Sequence, residues 1–372
     1  MGNYKFIISG GGTGGHIFPA LSIADGLQKR FPDCEILFVG AEGKMEMERV
    51  PAAGYHIIGL PVAGFHRGEI INNLAFIPKL IRSMLKAKKL VKDFRPNVAI
   101  GVGGYASGPV LRVAARLGIP TVLQEQNSYA GVTNKILGKK ASKICVAYEK
   151  MERFFPSGKI VFTGNPIRQG LAAIVPKSAE AKKFFNITTD QPVILVVGGS
   201  LGSRTLNQSM LGSIGLIRKS EVVIIWQTGK YYYETIQALF NANPAPNIRL
   251  MEFIPRMDLA YSLADLVISR AGAGTISELC MVGAASILVP SPNVAEDHQT
   301  FNAMSLVNKD AAIMIRDENA VSELIPDALA LVKSWEKCLK LSQNIKKLAT
   351  PHATEDIIEV IATLLKNGND RN

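Results

Sequence analysis

Along the 372 residues, short runs of Val, Ile and Leu ending in glycine alternate with stretches whose apolar residues recur at helical spacing. The runs predict strands at Lys5–Ser9, Glu35–Val39, Val98–Val102, Thr121–Gln124, Lys143–Val146 and Lys159–Phe162. A second series is expected at Val193–Val197, Val222–Gln227, Ile248–Glu252, Leu266–Ser269 and Ser286–Val289. Continuously apolar strands are buried on both faces, and when helices separate them they form parallel sheets. The pattern therefore predicts two doubly wound α/β domains. Thr163-Gly-Asn-Pro-Ile-Arg168 is turn-rich, and the strand–glycine–helix pattern restarts after it, which puts the domain boundary there.

Charge narrows the partners. Lys and Arg number 42 against 31 Asp and Glu, a formal net charge of +11, so the chain should meet something anionic. Nucleic acid is the weaker reading, since no helix-turn-helix, zinc or RNP motif is present and aromatic residues make up only 7%. Cys34, Cys145, Cys280 and Cys338 are widely spaced and form no C-x-x-C pair, which predicts reduced thiols and no zinc site. No apolar run reaches the ~18 residues of a membrane helix, and the N-terminus lacks the apolar stretch of a signal peptide. A soluble protein able to touch a membrane is expected.

The first strand opens onto Ser9-Gly-Gly-Gly-Thr-Gly-Gly-His-Ile-Phe-Pro-Ala20. Gly10, Gly12 and Gly15 satisfy G-x-G-x-x-G, the dinucleotide fingerprint. A nicotinamide site also needs an acid at the end of the second strand, where Glu42 stands late and Asp33 and Glu35 stand too early. The loop reads equally as tight strand–helix packing, or as a cradle of backbone N–H groups at a helix N-terminus for another phosphate-bearing ligand. His16 at the junction is either a hydrogen-bonded cap or a base kept neutral by the helix N-terminus.

Ser269-Arg-Ala-Gly-Ala-Gly-Thr-Ile-Ser-Glu-Leu279 reads as strand end, glycine loop and helix start. Thr275 and Glu278 form a T-x-x-E capping box, while Gly272 and Gly274 leave room for a ligand over the helix N-terminus, with Glu278 suited to a ribose diol. Asp297, His298, Gln299 and Asn302 crowd the next loop–helix entry, and such groups suit sugar hydroxyls. In the first half, Gly101–Pro109 and Gln124–Asn127 end strands, bringing Tyr105, Glu125 and Asn127 to the edge of the opening loop. Between Ile70 and Leu90, Ile71, Leu74, Ile77, Ile81 and Leu85 accompany Arg82, Lys86 and Lys89. This amphipathic segment reads as a surface helix packed on the core, or as a patch for an anionic bilayer.

The ordered set GGTGGHIFPA, GGYASGP, QEQNSYAGVTNK, TGNPIR, GGSLGS, SRAGAGTISEL and EDHQTFNA resembles the peptidoglycan N-acetylglucosaminyltransferases that convert lipid I to lipid II. The resemblance spans nearly the whole chain. It implies a GT-B fold, two Rossmann-like domains facing across a cleft: residues 1–163 on the acceptor and membrane side, 164–350 holding the donor, and a C-terminal segment 351–372 whose helix, near Ala353–Lys366, returns to the first domain. By motif, Ile254 backbone would pair with uracil and Glu278 with ribose. Ser200, Ala273, Gly274 and Thr275 would bind the ribose–diphosphate, and Gln299 with His298 the sugar hydroxyls. Thr13, Gly14, Gly15, Asn127 and Arg168 would complete the donor contacts, with Tyr105 on the acceptor side. Leu201 stands where many relatives carry Gln.

The implied reaction is inverting transfer of N-acetylglucosamine from UDP-N-acetylglucosamine to the muramyl 4-hydroxyl of lipid I, at the cytoplasmic face of the bacterial inner membrane. His16 is the candidate base and Glu125 a second candidate. No D-x-D motif is present, so neither metal nor other cofactor is expected; the anionic membrane surface and cell-wall synthesis proteins are the expected partners. Alternatives are a GT-B transferase with another lipid acceptor, such as a diacylglycerol, a UDP-N-acetylglucosamine epimerase, a dinucleotide oxidoreductase, and a nucleotide-sugar sensor.

Overall fold

The computed structural model describes residues 3–62, 76–168, 170–199 and 201–369. The chain divides into two compact units, residues 1–168 with 352–372, and residues 169–351. The turn Thr163–Arg168 thus lies inside the first unit, five residues beyond the boundary expected after Thr163.

The first unit carries β1 (Lys5–Ser9), β2 (Glu35–Ala41), β3 (His56–Leu60), β4 (Val98–Gly101), β5 (Thr121–Glu125), β6 (Lys143–Val146) and β7 (Ile160–Phe162). They form one parallel sheet in the order β3-β2-β1-β4-β5-β6-β7. Alternate residues feed opposite cores. Phe6 and Ile8 pack with Ile23, Leu27, Ile357 and Ile361, so helices Gly14–Arg30 and Ala353–Asn369 cover one face. Ile7 packs with Ala87, Val91, Val110 and Leu111, from helices Phe76–Phe94 and Ser107–Arg116, on the other. Gly26 lets these two helices approach closely, since a Cβ there would lie 2.8 Å from Thr354 Cγ2 and 3.0 Å from Ile358 Cγ1.

The second unit repeats the design with β8 (Val193–Val197), β9 (Val223–Gln227), β10 (Ile248–Met251), β11 (Leu266–Ser269), β12 (Ser286–Leu288) and β13 (Ile313–Met314). This sheet is also parallel, in the order β10-β9-β8-β11-β12-β13. Ile194, Val196, Ile224, Trp226 and Ile268 share one core with helices Arg204–Gly212 and Ala320–Val332. Leu195, Ile225 and Val267, on the opposite face, are buried too.

All eleven expected strands form, with ends shifted by two residues at most. The pattern missed β3 and β13, which are sheet edges. In both units the strand order reverses once, between β1 and β4 and between β8 and β11. Open α/β sheets bind ligands in the crevice at such reversals, beyond the carboxyl ends of the strands.

Candidate functional site

In the first unit, the loops after β1 and β4 meet at the reversal. Their contact needs glycine: a Cβ on Gly104, where φ is +83°, would stand 2.4 Å from the Gly11 carbonyl oxygen. Thr13 is the N-cap of helix Gly14–Arg30, its carbonyl accepting from the N–H groups of His16 and Ile17. Thr13 and Gly15 are exposed and Gly14 half-buried. His16, in the first turn, is half-buried. Its Nδ1 lies 3.0 Å from the Gly11 carbonyl oxygen and 3.3 Å from Thr13 Oγ1. A carbonyl only accepts, so Nδ1 carries the proton and the neutral ring keeps its lone pair on Nε2. Nε2 faces Gly103, where a Cβ would come within 2.9 Å of it.

Glu125 ends β5 at 1% exposure. One carboxylate oxygen accepts from the N–H and the Nδ2 of Asn127, the other from Gly131 N–H and Asn134 Nδ2. Burial pushes its carboxyl above the ordinary glutamate range, against the opposing pull of those donors. Both oxygens accept hydrogen bonds, so Glu125 organises the loop 126–134. Tyr105 is 57% exposed, and Arg168 is exposed at the end of the unit.

In the second unit, the loops after β8 and β11 border a cavity of about 710 Å³, lined among others by Gly199, Ser203, Arg204, Arg270, Thr275 and Gln299. Helices Arg204–Gly212 and Ala273–Val282 begin at its wall, the first capped by Ser203 Oγ, which accepts from Leu206 N–H. Two helix N-termini and Arg204 favour negative charge here, while Arg270 is paired with Asp317, which also lines the wall. Arg270 donates to Asp317 Oδ1 at 2.5 Å and to the carbonyls of Val289 and Pro290, while Thr205 donates to Asp317 Oδ2. Gln299 Oε1 accepts from Ser291 N–H at 2.9 Å, which fixes the amide's orientation toward the cavity.

The capping box expected at Thr275 and Glu278 does not form. The helix begins three residues earlier, with Gly272 as N-cap, because the chain turns into it directly after β11. Thr275 instead lines the cavity, and Glu278 Oε2 accepts from Tyr261 OH at 3.0 Å. The Ile254 N–H is already committed to Gln227 Oε1 at 2.9 Å. Ile254, Ala273, Gly274, Glu278 and His298 are not in the cavity wall. Asn302 is fully buried and holds the Ala271 carbonyl through Nδ2. Ser200, Ile71 and Leu74 lie outside the described residues, as does the Ile77 side chain.

Helix Phe76–Phe94 turns Ser83, Ala87 and Val91 inward. Leu80, Ile81 and Leu85 are left 40%, 55% and 63% exposed, on the same helix as exposed Arg82, Lys86 and Lys89. Of the two readings of this segment, packing on the core falls to Ser83, Ala87 and Val91, and Ile81 and Leu85 stay on the exposed side with the cations. Among the described residues no helix is long and apolar enough to cross a membrane, and no cluster of three His, Cys, Asp or Glu is placed to hold a metal.

Residues 6–146 match the N-terminal domain of glycosyltransferase family 28, and residues 193–360 its C-terminal domain. A protein of Parabacteroides distasonis is 56% identical over 98% of this chain and 99% of its own. One of Bacteroides fragilis is 54% identical over 97% and 95%. Both are named UDP-N-acetylglucosamine--N-acetylmuramyl-(pentapeptide) pyrophosphoryl-undecaprenol N-acetylglucosamine transferase. The crystal structure of Acinetobacter baumannii MurG is 28% identical, with a TM-score of 0.77 over 97% of this chain and 100% of that one. A UDP-N-acetylglucosamine 2-epimerase from Neisseria meningitidis shares the fold at 14% identity and a TM-score of 0.65, over 97% and 100% of the two chains. With both domains matched in order and relatives above half identity along nearly its full length, the chain belongs to glycosyltransferase family 28.

Proposed function

We propose that this protein transfers N-acetylglucosamine from UDP-N-acetylglucosamine to the muramyl 4-hydroxyl of undecaprenyl-diphosphate-linked N-acetylmuramyl-pentapeptide, the step from lipid I to lipid II. The observation that carries the reading is the 56% identity along 98% of the chain to a transferase named for that reaction. The chemistry of the second unit supports it. Helix N-termini at Ser203 and Gly272, with Arg204, suit a diphosphate that gains charge as it leaves.

In this reading the second unit takes the donor. Ser200, Ala273, Gly274 and Thr275 meet ribose and diphosphate, Glu278 the ribose diol, and Gln299 with His298 the sugar hydroxyls. Because the Ile254 N–H serves Gln227, its carbonyl is the group left to read the uracil N–H. The first unit takes the acceptor through Tyr105, with Thr13, Gly14, Gly15, Asn127 and Arg168 completing the donor contacts near the transferred sugar. His16 is the base. Its Nε2 takes the proton of the 4-hydroxyl as that oxygen attacks the anomeric carbon opposite the diphosphate, turning an α-linked donor into a β-1,4 product. No metal or other cofactor takes part. Leu80, Ile81, Leu85, Arg82, Lys86 and Lys89 form the patch that rests on anionic lipid at the cytoplasmic face, where the acceptor's tail is held.

UDP release with and without a short-chain lipid I analogue tests the reading. Release should require the analogue. Turnover of donor without any acceptor would assign an epimerase, and equal release with diacylglycerol would assign another lipid transferase.

A further inference from the structure

Glu46 was not singled out by the sequence, yet it is 1% exposed beneath the opening loop of the first unit. Its Oε2 accepts from Gly12 N–H and its Oε1 from Ala41 N–H, both at 2.9 Å. The surroundings are shaped around it. A Cβ on Gly11 would lie 2.1 Å from Glu46 Oε1, and one on Gly40 would lie 2.5 Å from its Cγ. Gly11 and Gly12 have φ of +146° and +90°, backbone that side chains other than hydrogen rarely adopt.

The Gly12 N–H and the Gly11 C=O belong to one peptide group. In a trans peptide they point in opposite directions. Glu46 holds that group from one side, and His16 Nδ1 lies 3.0 Å from its carbonyl oxygen on the other. A carboxylate accepting the N–H draws electron density toward the carbonyl oxygen, and hydrogen bonds in such a chain strengthen one another. The carbonyl becomes the better acceptor, so the proton stays on Nδ1 and the ring stays oriented.

We propose that Glu46 is a positioning residue for the transfer reaction, fixing the Nδ1-protonated tautomer and the orientation of His16 through the Gly11–Gly12 peptide. This rests on the assignment of His16 as base. It is the arrangement by which a buried carboxylate orients a catalytic histidine, with one peptide group interposed.

The direct test is ¹⁵N NMR of the histidine rings in the wild-type protein and in Glu46→Gln. Neutral His16 should be protonated on Nδ1 in the wild type and redistribute toward the Nε2-protonated form in the variant. An Nε2-protonated ring in the wild type overturns the proposal, and that measurement stands even where the variant does not fold. In turnover, Glu46→Gln should lower kcat on the order of 10–100-fold, the usual scale for outer-shell partners. KM for UDP-N-acetylglucosamine should stay within about twofold, because the donor cavity is untouched. Added to His16→Ala, the same substitution should change kcat less than about twofold. A full additional loss would show that Glu46 acts independently of His16 and would overturn the proposal. Near-normal turnover by His16→Ala alone would remove the base assignment, while the ring tautomer would still decide whether Glu46 sets the histidine.

Discussion

Gln227 Oε1 accepts the backbone N–H of Ile254 at 2.9 Å, with Gln227 only 2% exposed at the carboxyl end of β9. Its Nε2 donates to the Gly199 carbonyl at 3.0 Å, so one amide ties the proposed uracil segment to the proposed phosphate loop. Gln227→Leu keeps the bulk and strands both backbone groups. It should lower stability by about 1–3 kcal/mol, the scale for buried groups left unpaired. It should also raise KM for UDP-N-acetylglucosamine on the order of tenfold, with a smaller change in kcat. Denaturant unfolding and steady-state kinetics measure the two effects.

Gly26 lies where helices Gly14–Arg30 and Ala353–Asn369 touch. A helix-interior glycine ordinarily invites replacement, which would gain about 0.5–1 kcal/mol. Here Gly26→Val drives methyl groups into Thr354 and Ile358, so the clash decides the sign, and a loss of about 1–3 kcal/mol is expected. Thermal unfolding should show the lower midpoint. An unchanged or higher one would mean the two helices separate freely.

Burial pushes the thiols of Cys145 and Cys280 up to about 12. In the unfolded chain a thiol titrates near ~8.5. A folded value above the unfolded one means the stabilising contribution is complete below ~8.5 and is lost as pH climbs toward about 12. Stability should therefore fall between pH ~8.5 and ~10.5, and replacing both cysteines by alanine should flatten that slope. Unfolding curves of wild type and variant across this range check it.

Ile81 and Leu85 are 55% and 63% exposed beside Arg82, Lys86 and Lys89. Each cation near an anionic surface contributes about 1 kcal/mol. Reversal at Arg82, Lys86 and Lys89 removes two units of charge at each position and should weaken vesicle binding, at Lys86 also by releasing Glu42 from its 3.0 Å ion pair. Sedimentation with phosphatidylglycerol vesicles reads the loss. Equal binding by wild type and all variants would count against the patch.

The strands were legible because buried parallel strands are written locally, as four or five apolar residues before a glycine. β3, with His56 and Gly59 inside it, and the two-residue β13 lack that run and sit at sheet edges. The glycine loops and His16 were legible for the same local reason. Glu46, Gln227 and Asp317 were not, since their partners Gly12, Gly199 and Arg270 lie 34, 28 and 47 residues away. Thr275 and Glu278 misled because the capping spacing is also the spacing of one helical turn, and the helix had already begun at Ala273.

Inversion at the anomeric carbon with His16 as base fixes both the linkage formed and its rate. Proton NMR of the disaccharide formed from UDP-N-acetylglucosamine and a short-chain lipid I analogue measures that outcome. A β-1,4 linkage to the muramyl sugar is expected, with formation reduced at least about a hundredfold in His16→Ala, the scale of general-base catalysis. An α linkage, or an undiminished rate in that variant, would contradict this mechanism.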